Sequence, residues 1–306
     1  MTMKAPVRST IKSPMKSPLG KTLRRLSIGS TQTATTEEDS SLSSSPAHSE
    51  KRLVKALLEY CASSGIAFSK EMVYRFAYFY EFDFERTKEA IELNRENHHL
   101  RLEMRGYLKR QFSTRTIFPL SGLKTRKDKM DVCYIQASRF DPNDSSSSSN
   151  YGTRVVENLC YVLNDLSRTR EQCKRGVAVI INMNRCEETK LTFDLWMQVI
   201  MTLQGTLVPT TVNLVLMVDS PKWFQTQMWK TQTKPMLAES FVKRCRLIDG
   251  EELLTGDYLA GGCEAFLPTT SGGWKEADEI VEDYQDLKAF QDRQRLEGIA
   301  VVPEDL

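Results

Sequence analysis

Apolar residues first acquire a regular spacing at Leu53. Leu53, Ala56, Leu57 and Tyr60 recur at steps of three and four and predict a helix over Glu50–Ser64, stopped by Gly65. The same period in Val73, Phe76, Ala77 and Tyr80 predicts a second helix over Lys70–Phe82. Asp83 is placed to cap a third, running from Phe84 through His98. Arg86 stands where a capping box wants Glu, so that cap is partial. A further helix is expected over His99–Arg110. The pattern then changes. Asp131–Ala137 is short, β-branched and aromatic, and ends on the turn signal Arg139-Phe140-Asp141-Pro142. A serine run, Ser145–Ser149, marks a loop. An amphipathic helix is expected over Thr153–Cys173, with Val156, Leu159, Cys160, Leu163 and Leu166 on one face. Gly176–Asn182 and Val212–Val218 are nearly all apolar, as strands covered on both faces are. Between them Thr192–Leu203 reads as helix. After them Pro221–Leu237 reads as helix as far as Pro235, and Arg244–Ile248 as a short strand. Strands alternating with helices predict an α/β fold with a mainly parallel sheet, preceded by a small all-helical subdomain.

Composition divides the chain further. Met1–Glu50 holds no Phe, Tyr or Trp and is crowded with Ser, Thr and Pro, too little apolar surface to offset chain entropy. The expected layout is a disordered tail at 1–50, a helical subdomain at 51–110, an α/β domain at 111–275 and an acidic segment at 276–306, helical through about Glu297. The 42 Lys and Arg nearly balance the 40 Asp and Glu, but Lys4, Arg8, Lys12, Lys16, Lys21, Arg24 and Arg25 all precede the first acid. A basic arm of this kind suits an anionic membrane surface or nucleic acid; a solvated, phosphorylatable tail is the other reading. Ser13-Pro14, Ser17-Pro18 and Arg24-Arg25-Leu26-Ser27 make Ser13, Ser17 and Ser27 candidate phosphosites, where phosphate would cancel local positive charge.

Little in the chain points to catalysis. The 7 cysteines are scattered without a CxxC pair, and no leader-like apolar run opens the chain, which together predict a reduced, cytoplasmic setting. The apolar runs Val177–Ile181 and Leu214–Val218 are too short to cross a bilayer. His48, His98 and His99 lie away from any acid or thiol cluster with ligand spacing, so no metal is expected. No GxSxG, GxGxxG or GxxxxGKS/T pattern occurs, and Gly261-Gly262 reads as turn chemistry. The expectation is a binding protein with no catalytic residues and no cofactor.

The order of segments resembles the CRAL-TRIO lipid-binding family. Val73-Tyr74-Arg75-Phe76-Ala77-Tyr78-Phe79 followed by Phe82-Asp83-Phe84 resembles the family's helical head, and Tyr134–Pro142 its first core strand. Gly176–Met183 looks like the central strand. Leu216–Phe224, then Trp229 and Lys234-Pro235-Met236-Leu237, is similar to the buried strand and the helix that gates the lipid pocket. Leu267-Pro268 and Gly272-Gly273 echo the closing motif, with Ser271 at a place usually apolar. The resemblance implies a closed apolar pocket for a phospholipid of phosphatidylinositol or phosphatidylcholine type. It implies a gate helix with Trp223, Phe224, Met228, Trp229, Lys230 and Lys234, and a pocket lined by Tyr134, Ile180, Phe193, Trp196, Met197, Ile200, Leu216 and Val218. Headgroup contact falls to Arg244 and Thr210. In the fungal phosphatidylinositol-transfer branch these two positions carry Lys and Glu, so the carboxylate is missing here.

Lipid carriage suits these residues. At about 0.8 kcal/mol per CH₂, two long acyl chains exposed to water would cost on the order of 20 kcal/mol, so a carrier needs a closed apolar cavity with a movable wall. Trp223, Phe224, Met228 and Trp229 would supply apolar contact, and Lys222, Lys230 and Lys234 would meet anionic headgroups. The expected function is lipid transfer or presentation by a monomer that touches membranes peripherally and does not bind nucleic acid. The alternative is a non-transferring lipid-sensing or protein-interaction scaffold on the same fold. Deleting Met1–Glu50 is expected to weaken binding to anionic vesicles at low salt and to leave lipid uptake intact, measured by co-sedimentation and native mass spectrometry. Loss of uptake would put the tail inside the fold.

Overall fold

The apolar runs assemble into one five-stranded sheet: β1 (Ile117–Lys124), β2 (Asp131–Gln136), β3 (Val177–Asn182), β4 (Val212–Val218) and β5 (Cys245–Ile248). The computed structural model describes residues 46–101, 111–142, 151–205 and 207–296. Strand order in space follows the chain; β1 is antiparallel to β2 and the other three pairings are parallel. Parallel neighbours require crossovers, and a sheet that grows steadily to one side places right-handed crossovers on one face. The helices are α1 (Pro46–Ser63), α2 (Lys70–Phe79), α3 (Phe84–Leu93), α4 (Tyr151–Asp165), α5 (Arg170–Arg175), α6 (Phe193–Leu203), α7 (Glu239–Val242), α8 (Gly250–Thr255) and α9 (Ala277–Leu296). From Pro46 on, the described residues belong to one compact unit. The expected α/β class with a helical head is what forms.

Several expected boundaries move, each for a local reason. Helix α2 ends at Phe79 because Glu81 and Phe82 both adopt left-handed backbone, φ 57. That turn frees Asp83, whose Oδ1 accepts from the Arg86 amide at 3.0 Å, so the cap forms without Glu. Helix α3 stops at Leu93 rather than His98. Asn94 caps it by donating to the Ala90 carbonyl, Asn97 donates to Leu207 O, and a short 3₁₀ turn follows at His98–Arg101. The rest of the helix expected to Arg110 lies outside the described residues. The single helix expected over Thr153–Cys173 is two. Ser167 Oγ turns back to Leu163 O at 2.6 Å, and Thr169 and Gln172 form a reciprocal capping box that starts α5. Helix α1 starts at Pro46, and Glu50 pairs with Arg170 at the N-terminus of α5, so a truncation that spares the fold ends at Ser45 rather than Glu50. The sites at Ser13, Ser17 and Ser27 lie outside the described residues.

Strand β1 was not expected, because Pro119, Ser121 and Gly122 break its pattern. It is an edge strand, where proline is tolerated, and its register with β2 shifts between Pro119 and Lys124. Gly122, at φ 87, accepts the ring of Phe266 so closely that a Cβ would sit 2.9 Å from it. After Ile248 the chain enters α8, which Asp249 caps by accepting from the Glu252 amide at 2.7 Å.

Two buried cations hold the outer helices. Arg75, on α2, is buried and donates through Nη1 to Asn164 Oδ1 at 2.6 Å, fastening the helical head to the end of α4. Burial pushes its guanidinium down to about 10. Helix α9 packs through Ile280, Val281 and Tyr284, with the Tyr284 ring 5.4 Å from Phe112. Its Tyr284 hydroxyl donates to Asp165 Oδ2 at 2.8 Å, and Lys288 pairs with Asp165 where each side chain is 9% exposed. Burial and the Asp165 carboxylate together push Tyr284 well above the usual tyrosine range. Removing one partner of a buried pair strands the other charge. Asp165→Ala should therefore cost about 3 kcal/mol, the low end for such pairs because Lys288 keeps Gln291 at 3.1 Å, read from urea denaturation.

Candidate functional site

Strand β4 delivers the chain to the segment expected to act as a gate. At its end Asp219 is held in left-handed backbone, φ 50, by a hydrogen bond from the Gly250 amide to its Oδ1 at 2.9 Å. Gln225 Nε2 donates back to Ser220 O at 2.6 Å. The chain then winds as a π-helix over Phe224–Thr233, wider than the α-helix its spacing suggested, and closes with a 3₁₀ turn at Lys234–Met236. Two hydroxyls follow the wider turn: Thr231 Oγ1 reaches Thr226 O at 2.8 Å and Thr233 Oγ1 reaches Met228 O at 2.7 Å, each five residues back. This winding aligns Phe224, Met228, Trp229 and Thr233, all buried, on one face. Lys222, Lys230 and Lys234 are exposed, and Trp223 is half-buried.

Trp196 of α6 plugs against that inner face. Its indole N–H donates to Thr233 Oγ1 at 2.9 Å, its ring meets Phe224 edge-on at 4.9 Å, and Trp229 lies 6.4 Å away. Of the expected lining residues, Tyr134, Ile180 and Leu216 stand side by side in register across β2, β3 and β4, and Val218 stands next to Asn182 one row on. Ile200 is buried on α6, and Phe193 and Met197 are half-buried. Among them Trp196 makes the hydrogen bond and ring contacts to the π-helix just described, and Phe193 lines a cleft with Trp223 and Met228.

A polar cluster among these positions was not expected. Tyr134 OH lies 2.9 Å from Gln136 Oε1 and 2.6 Å from Ser271 Oγ, and Asn182 Nδ2 reaches both Tyr134 OH at 2.8 Å and Ser271 Oγ at 2.7 Å. Thr270 Oγ1 adds a bond to Gln136 Oε1 at 3.0 Å. The signal was present: Gln136 and Asn182 end otherwise apolar strands. The unusual Ser271 is accounted for, since an apolar residue there would leave buried polar groups short of a partner.

The two expected headgroup residues sit at the other end of the strands. Thr210 is buried, with Oγ1 3.0 Å from Ser167 Oγ. Ser167 spends its hydrogen on Leu163 O, so Thr210 must donate to Ser167 and has no hydrogen left for a ligand. Arg244, half-buried, donates Nη1 to Val212 O at 3.1 Å and keeps further N–H groups.

A cleft of about 260 Å³ opens beside the gate. Its apolar walls are Leu191, Phe193, Trp223 and Met228; its polar groups come from Glu188, Thr192, Gln227 and Gln232. All seven cysteines are buried thiols, and burial pushes Cys173 and Cys186 up to about 11. Among the described residues no cluster of His, Cys, Asp or Glu is arranged to hold a metal ion, and no helix is long and apolar enough to cross a membrane.

The family model for the CRAL/TRIO domain matches residues 123–260, from the end of β1 to the segment after α8. Those residues form a CRAL/TRIO domain. The chain is also similar to the crystal structure of Sfh5, with a TM-score of 0.51 and 11% identity over 81% of this chain and 99% of that one, a likeness of fold. No curated protein matches the sequence. The CRAL/TRIO domain supports binding of a hydrophobic lipid. It takes in β2 to β5, α6, the π-helix, Thr210 and Arg244, while the helical head and α9 lie outside the matched span.

The docking of the π-helix on Trp196 is testable through Thr233. Thr233→Val leaves the Trp196 indole N–H buried without an acceptor, which should cost about 1–3 kcal/mol. Amide exchange across Phe224–Thr233 should speed up accordingly, and Thr233→Ser should restore both.

Proposed function

We propose that this chain binds a phospholipid of phosphatidylinositol or phosphatidylcholine type between its sheet and the π-helical segment, and transfers or presents it at a membrane surface. The observation that carries this reading is the two-sided gate in a CRAL/TRIO domain: an apolar inner face of Phe224, Met228 and Trp229, and an outer face with exposed Lys222, Lys230 and Lys234. The 260 Å³ cleft is below the roughly 300–1,000 Å³ typical for drug-sized ligands and too small for two acyl chains, so loading must part the Trp196–Phe224–Trp229 cluster. That is affordable. Aromatic pairs are worth about 0.5–1.5 kcal/mol beyond burial and one neutral hydrogen bond about 1 kcal/mol. Hiding two acyl chains returns on the order of 20 kcal/mol. Arg244 supplies the phosphate contact through its remaining guanidinium donors. The exposed lysines would each add about 1 kcal/mol at an anionic surface.

One observation favours the scaffold alternative: Thr210 has its only hydrogen committed inward where a carboxylate would serve headgroup recognition. The two readings part on transfer. Carriage predicts protein with stoichiometric lipid by native mass spectrometry and movement of labelled phospholipid between vesicles. Uptake without movement would favour the scaffold, and protein that takes up no lipid would overturn the proposal. Reversing Lys230 and Lys234 to Glu should slow transfer to anionic acceptor vesicles by on the order of tenfold or more, an effect that shrinks in high salt.

A further inference from the structure

The cleft beside the gate has a chemistry of its own. It lies between the turn that leads into α6 and the outer shoulder of the π-helix. Phe193 and Trp223, both half-buried, line it together with Gln227, Gln232 and Glu188, its one acidic residue. No lysine or arginine lines it. Glu188 has no ion pair or hydrogen bond among the described residues, while the nearby Lys190 is turned away, its ammonium donating to Ser138 O at 3.2 Å.

Each ordinary occupant meets an obstacle. An anion would face the Glu188 carboxylate with no cation to offset it. An acyl chain would remove water from that carboxylate and offer its charge nothing in return. A hard metal ion wants several oxygen ligands at once, and Glu188 is the one carboxylate among the lining residues. A cation that is apolar on its outside answers both the rings and the carboxylate: its methyl groups pack on carbon, its charge is attracted by aromatic rings and by the carboxylate, and Gln227 and Gln232, both exposed, keep their water.

We propose that this cleft binds an alkylammonium group, a quaternary ammonium above all. The volume suits a group of that size and not a whole lipid. The site is also separate from the headgroup contact proposed for Arg244. Glu188 follows the C-terminal end of β3, Arg244 precedes β5, and between those edges β4 runs Val212–Val218. At ~3.3 Å per residue the two edges are ~20 Å apart, so one headgroup does not reach both. Binding here needs neither an open gate nor a loaded interior, and it stands even if the chain carries no lipid. The shared chemistry has two sources, the choline headgroup of a bilayer lipid and a free quaternary ammonium solute.

The test uses the full chain. Saturation-transfer NMR on the methyl protons of choline and tetramethylammonium should show contact. The neutral isostere of choline, 3,3-dimethylbutanol, should bind more weakly. Glu188→Gln, an exposed and nearly isosteric change, should weaken choline about tenfold with an unaltered thermal melt, and Trp223→Leu should do the same through the ring. No saturation transfer at millimolar choline would overturn the site, as would equal binding of the neutral isostere or full binding by Glu188→Gln. Vesicles of phosphatidylcholine then separate the sources. Glu188-dependent binding to them identifies a membrane headgroup, and Glu188-dependent binding of soluble choline alone identifies a free solute; either result upholds the site. Lipid carriage, read by native mass spectrometry on the unsubstituted chain, is a separate measurement whose failure leaves this one standing.

Discussion

Every residue of β3, from Val177 to Asn182, is buried, and β2 and β4 on either side are nearly so. A parallel sheet of this kind must be covered on both faces, and its crossovers naturally cover one. The other cover has to come from elsewhere in the chain, and much of the architecture answers to that demand. The clearest answer is the turn carrying Thr270 and Ser271, which returns to Tyr134 and Asn182 and completes their hydrogen bonds. A second is α9, fastened at Asp165 by Tyr284 and Lys288. Because the Thr270–Ser271 turn, Tyr134 and Ser138 supply their partners, the sheet tolerates Gln136 and Asn182 at its strand ends without an orphaned amide.

The gate depends on the same covering layer. Trp196 belongs to the crossover from β3 to β4, and the π-helix to the crossover from β4 to β5, so the two meet as neighbours. An α-helix with this sequence would spread Phe224, Met228, Trp229 and Thr233 over a wide arc, because residues nine apart drift on a 3.6-residue turn. The wider winding brings Thr233 under Trp196, and its hydroxyl both accepts from the indole and donates to Met228 O. One threonine thus ties the helix's own winding to its docking. Segments wound this way are rare and tend to occur at functional positions.

The periodic part of this structure was legible in the sequence, and the reason is burial. Val212–Val218 forms the strand its apolar run predicts, and Phe193–Leu203 differs from its expected span only in that Thr192 is the cap rather than the first helical residue. What escaped was set by contacts far away in the chain. Strand β1 is held by pairing with β2 and helices packed over it, against its own Pro119 and Gly122. The break at Ser167 depends on a side-chain hydroxyl choosing Leu163 O, which helical spacing does not report. The candidate site shows the same division. Trp196, Phe224 and Trp229 stood out as large apolar residues in the expected segments. That Trp196 and Thr233 share a hydrogen bond was invisible, since tryptophan and threonine 37 residues apart carry no joint pattern.

The sheet edge that holds Thr210 and Arg244 shows what losing a carboxylate does to charge balance. A Glu at 210 would place a carboxylate where Thr210 now meets Ser167. Thr210 instead closes on Ser167 as a buried neutral pair, which needs no counter-charge and costs little to desolvate. Arg244 stands half-buried, with Val212 O as its side-chain contact and no ion pair among the described residues. A half-buried cation has lost part of its hydration without gaining an anion, so an external phosphate restores more there than at a freely solvated lysine. On the proposed reading, Arg244 is therefore left to meet the phosphate that every phospholipid shares, with no carboxylate at position 210 beside it.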